Sequence, residues 1–121
     1  MRLLTILLAA IALLLAGGNA ADAHALLRQA QPAVGATVPA APDELLLIFS
    51  ESVEPDFSHV SVTDAQGTRV DTGTVHTDPE NATHLLVGVH KLAPGKYTVS
   101  WHATSTDTHK TQGSYSFTVA P

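Results

Sequence analysis

Short segments of strict alternation dominate this chain. From Lys96 to Thr104, Tyr97, Val99, Trp101 and Ala103 are separated by Thr98, Ser100, His102 and Thr104. A period of two sends one set of side chains to each face of a β-strand. Tyr115, Phe117 and Val119 repeat the pattern after Gly113. Glu44 to Phe49 is apolar, lies between a Pro-rich stretch and Ser50-Glu51, and is too short for a helix. It reads as a buried strand. Ala25 to Gln31 gives a first strand ended by Pro32, and residues 33–42 form a loop over the surface. Phe57 to Thr63, an edge strand from Arg69 to Val75, and Thr83 to Val89 follow. Turn signals stand between them at 53–56, 64–67, 78–81 and 93–95. No stretch shows a 3.6-residue period. The sum is all-β: an Ig-like Greek-key β-sandwich or barrel of about seven strands. It lacks the Cys pair of antibody domains.

Residues 1–23 stand outside this pattern. Arg2 supplies a positive start, Leu3 to Ala16 is almost wholly apolar, and Gly17-Gly18-Asn19 breaks the run. Ala21-Asp22-Ala23 then presents small residues where a signal peptidase reads them. A secretory signal peptide cut after Ala23 is expected. A transmembrane anchor fits less well, because the apolar run is short. The mature chain is then a single domain, 24–121, of about a hundred residues, enough for one core.

Cleavage after Ala23 exposes His24 as the first residue. An N-terminal His offers its α-amine and its imidazole Nδ1 to one metal, closing a chelate ring. Near the other end, Asp107 and His109 stand two residues apart in the stretch 105–109, between the two best strands. An Asp-x-His pair is ordinarily a turn-forming Asp beside a solvated His. Together with His24, however, the chain offers amine, two imidazoles and a carboxylate. That N and O set suits tetragonal Cu(II).

Composition narrows the chemistry further. There is no cysteine, which excludes thiolate zinc and iron–sulfur sites. The only methionine is Met1, so the mature chain has no sulfur ligand for Cu(I). The net charge is −5, and removing Arg2 and Asp22 takes one charge of each sign and leaves it there. An acidic chain argues against nucleic acid and anionic membrane surfaces as partners. Most of the seven histidines carry no such signal. His102 belongs to the outward set of its strand, His59 can point outward, and His90 begins a turn. His76 and His84 flank one loop and could face each other across a hairpin as a weak adventitious site. Asn81-Ala82-Thr83 matches a glycosylation sequon, relevant only in a eukaryotic secretory pathway.

From His24 to Pro121 the chain resembles the CopC family of periplasmic copper-binding proteins. The likeness rests on His24-Ala25 after Ala-x-Ala, on 31–36, on Leu47-Ile48-Phe49-Ser50-Glu51 and on 92–97. Its most specific part is the run 101–109, with Gly113-Ser114-Tyr115-Ser116-Phe117 behind it. The resemblance implies a Greek-key β-domain and one Cu(II) per chain. The ligands would be the His24 amine and imidazole, the His109 imidazole and the Asp107 carboxylate, with Glu51 near the copper as an orienting partner. Some members carry a Met-rich loop for Cu(I), and this chain has no internal Met to build one.

The expected function is therefore capture of Cu(II) in the periplasm or outside the cell by a soluble, monomeric protein that is not an enzyme. It would serve storage, buffering or delivery to a membrane importer, for which a transporter of the CopD type is the implied partner. A copper-dependent oxidative enzyme using the N-terminal His chelate is one alternative. An Ig-like adhesive module with incidental histidines is another.

Overall fold

The computed structural model describes residues 24–121; the expected signal peptide, 1–23, lies outside the described residues. Eight strands run in order: β1 (Leu27–Gln31), β2 (Thr37–Val38), β3 (Glu44–Phe49), β4 (His59–Thr63), β5 (Asp71–Asp78), β6 (Asn81–Val89), β7 (Gly95–Thr104) and β8 (Lys110–Val119). A 3-10 turn, Pro55–Phe57, precedes β4. The strands form two four-stranded sheets, ordered β1-β3-β6-β5 and β2-β8-β7-β4. This is a β-sandwich, as the alternation requires.

The alternating residues explain the layers. Leu45, Leu47, Phe49, Leu85 and Val87 turn inward from the first sheet. Val60, Val62, Tyr97, Val99, Trp101, Ala103, Tyr115, Phe117 and Val119 meet them from the second. Burying each large apolar side chain contributes about 1.5–3 kcal/mol. The Phe49 and Trp101 rings meet edge to face across the sheets, with centroids 5.2 Å apart. Trp101 also lies over Gly113, its partner on β8. A Cβ at position 113 would come within 2.6 Å of the indole. Only glycine leaves room for that ring. Burial pushes the Tyr115 phenol well above its usual range.

The eighth strand is β2, within a segment expected to be loop. Two residues carry no period to detect. β2 exists because it lies parallel to the end of β8, with Thr118 N bonded to Ala36 O and Ala120 N to Val38 O. β8 begins at Lys110, ahead of Gly113, because β7 pairs with it in unbroken register from Gly95↔Val119 to Thr104↔Lys110. β5 lies at a sheet edge, as expected, and runs on to Asp78. That ten-pair β7–β8 ladder is the rigid support for the loop at its end.

Candidate metal centre

The loop 105–109 joins β7 to β8 and is closed by its own backbone. Ser105 N donates to His109 O at 2.9 Å, and Thr108 N to Ser105 O at 2.9 Å. Thr108 takes the turn at φ 75°, a region that a β-branched residue rarely occupies. The loop is braced from below by the chain after β3. Thr106 N donates to Ser52 O, Glu54 N to Thr104 O, and Val53 bridges to Ser105.

Ser105 is buried and organises the side chains. Its hydroxyl donates to the Asp107 carboxylate. On its other side, Asp107 Oδ2 lies 3.2 Å from His109 Nδ1. The Ser105 hydroxyl, acting against a desolvation cost and helped by His109, holds the Asp107 carboxyl below the usual carboxylate range. Asp107 is thus an oriented anion, and the His109 ring is turned so that Nε2 points away from it.

A second set of bonds fastens the start of the domain. Ser50 Oγ donates to His24 O at 3.1 Å and accepts from Leu26 N at 2.9 Å. Ser50 N donates to Leu26 O at 2.8 Å. Thr111 Oγ1, on β8, donates to Ala25 O at 2.6 Å. Ala25 is fully buried. Every carbonyl from His24 to Leu26 therefore has a partner, on β8 or just past β3. The clamp holds the half-buried His24 beside the loop, with its ring centroid 4.7 Å from that of His109, edge to face.

The fold therefore brings His24 and His109 together, and Asp107 against His109. Among the described residues, no three His, Asp or Glu side chains already converge as a closed cage. The donors stand as two adjoining pairs that share His109. Their N and O chemistry fits a tetragonal cation. Glu51 is half-buried and takes no part in these contacts; its neighbour Ser50 supplies them instead. His76 and His84 are not directly opposed. His76 faces Leu86, and its Nε2 lies 3.9 Å from Glu44 Oε2. Ser50, Ser105 and Thr111 were not singled out from the sequence. Small hydroxyls near strand ends are common, and only their partners distinguish these three.

The CopC domain family profile matches residues 27–120. The chain belongs to the CopC family. Protein YobA of Escherichia coli K12 is 41% identical over 98 residues, covering 80% of this chain and 79% of its own. Copper resistance protein C of Escherichia coli is 30% identical over 106 residues, covering 82% and 83%. Copper transport protein CutJ of Bacillus subtilis is 30% identical over 98 residues, but these are only 18% of that longer protein. Among solved structures, CopC from Methylosinus trichosporium OB3b superposes with a TM-score of 0.76 at 33% identity, covering 81% of this chain and 95% of that one. PcoC, a methionine-rich copper resistance protein from Escherichia coli, gives 0.70 at 31%, covering 80% and 99%. This CopC protein shares the sandwich but has a single methionine, Met1. CopC proteins bind copper and are named for copper resistance, so the chain is placed among copper-handling proteins. The family profile begins three residues after His24, so the profile match itself does not include that residue.

Proposed function

We propose that this CopC protein captures one Cu(II) per chain as cargo, outside the cytoplasm, after a signal peptide is removed behind Ala23. The ligands are the His24 amine and imidazole, the His109 imidazole and the Asp107 carboxylate. The observation that carries this reading is the 4.7 Å approach of the His24 and His109 rings, which lie far apart in sequence and are held by separate bond sets. Cleavage adds the amine at the residue the clamp already holds. Cu(II) heads the divalent affinity series, so N and O donors suffice. Protons compete for the same donors, so affinity falls as the medium acidifies.

Binding and exchange, rather than turnover, are the mechanism. The protein is a monomer that stores or buffers copper, or hands it to a membrane importer of the CopD type. Glu51 is half-buried beside Ser50, where its negative charge favours a nearby cation. The test is Cu(II) titration of the mature chain beginning at His24, read by electron paramagnetic resonance, beside a chain with one extra residue before His24. The expected result is one tight equivalent with a nitrogen-rich tetragonal spectrum, lost or altered by the extension. Equal binding by both chains would overturn the N-terminal chelate.

A further inference from the structure

The outer face of the β2-β8-β7-β4 sheet carries two histidines that the centre above does not use. His59 on β4 stands directly opposite His102 on β7, and His102 stands opposite Gln112 on β8. One row across three strands therefore reads His59, His102, Gln112. The alternation forces this arrangement. Val60 and Val62 turn inward from β4, and Trp101 and Ala103 from β7, so both histidines must face out. Both are exposed.

Directly opposed residues of an antiparallel pair have Cβ atoms about 4.5–5.5 Å apart. Two imidazoles at that spacing, rising from one face, can close on a single ion. Neither ring is tied up in a hydrogen bond or ion pair among the described residues. The two line one groove of about 440 Å³, with Phe57, Lys110 and Gln112 on its walls. An adjoining hollow of about 370 Å³ shares Phe57 and His59, adds the Asp56 carboxylate and reaches Thr108 in the loop that carries His109.

We propose that His59 and His102 form a second, solvent-exposed transition-metal site, a cross-strand bis-imidazole chelate with the Gln112 amide oxygen beside it and water completing the shell. Cu(II) is its strongest divalent occupant by the general affinity order, ahead of Ni(II) and Zn(II). Two imidazoles and water hold an ion less firmly than an amine chelate with two further protein donors. Lys110 weakens the site further and Asp56 partly offsets it. The site therefore exchanges metal readily, beside a concave surface continuous with the first centre's loop.

The test uses a chain carrying His24→Ala and His109→Ala together, in which both imidazoles of the first centre and its amine–imidazole chelate are gone, titrated with Cu(II). It is read by electron paramagnetic resonance and by paramagnetic broadening of assigned NMR signals. One weaker equivalent is expected, with His59, His102 and Gln112 broadened first. Replacing either His59→Gln or His102→Gln in that background should abolish the equivalent while leaving the melting temperature unchanged, since both side chains are exposed. Survival of the equivalent once both His59→Gln and His102→Gln are added would overturn the proposal, as would broadening centred on His76 and His84, or no binding at all. Failure of the first centre reads differently: His109→Ala alone would then leave the tight equivalent of the parent intact.

Discussion

Asp71 and Asp107 are both carboxylates held below the usual range by their neighbours, but the fold uses them in contrasting ways. Asp71 has a side chain only 1% exposed. It accepts from Val62 N, Arg69 Nε, Arg69 Nη2 and Gly73 N, at 2.7–3.2 Å. Burial pushes its carboxyl up, and these donors together with the Arg69 charge outweigh that and bring it down. Its acceptor capacity is spent tying β4 of one sheet to β5 of the other. Asp107 has a side chain 38% exposed, with the Ser105 hydroxyl and, at 3.4 Å, the His109 N–H donating to Oδ1 and the His109 imidazole beside Oδ2. A saturated, buried carboxylate is a strut. An exposed carboxylate steered by two donors of its own loop, both on one oxygen, keeps lone pairs for a cation.

The contrast predicts that the two positions separate stability from copper. The largest effect is expected from His109→Ala or Asp107→Ala, which should remove the tight Cu(II) equivalent while changing unfolding free energy by no more than about 1 kcal/mol. Titration and urea melts on the same samples check both halves. Next is Asp71→Ala. It leaves the buried Val62 amide without its acceptor, removes that of the more exposed Gly73 amide, and should cost about 1–3 kcal/mol in urea unfolding, with copper stoichiometry unchanged. An Asp71→Ala chain that kept its stability would dissolve the distinction.

Two smaller effects sharpen it. Ser50→Ala removes the hydroxyl that fixes both His24 O and Leu26 N, so it should cost about 1 kcal/mol and weaken copper binding by loosening His24. Thermal melts with and without Cu(II) would show a larger loss in the loaded form. Last is acid. Because the Asp71 carboxyl titrates lower in the folded state than in the unfolded chain, the unfolded chain takes up more protons as the pH falls below about 4. The stability that Asp71 contributes is complete above that range and drains away below it. Asp71→Asn should flatten the acid limb of a stability–pH curve, whereas a limb as steep as that of the parent would place the acid sensitivity elsewhere.

Much of the sandwich was legible in advance. Trp101, Val99 and Tyr97 faced inward where their period put them, and His102 faced out. β2 was not legible, since two residues have no period and its partner on β8 is remote in sequence. For the site, the three candidate residues stood out by chemical type and the hydroxyls did not. Glu51 is a candidate only through the family resemblance, while the contacts belong to Ser50 next to it.

By itself, then, the order of residues determined which faces of the strands are apolar, where the turns fall, and that residues 24–121 offer only nitrogen and oxygen donors. Those properties are local, set by side-chain alternation and residue type. Only the tertiary structure decided that Ser50 and Thr111 hold the first residues of the domain, that His24 meets His109, and that His59 and His102 share one row. Each is a pairing between distant segments, and strand register across the closed sandwich, which no local pattern encodes, settles which side chains become neighbours.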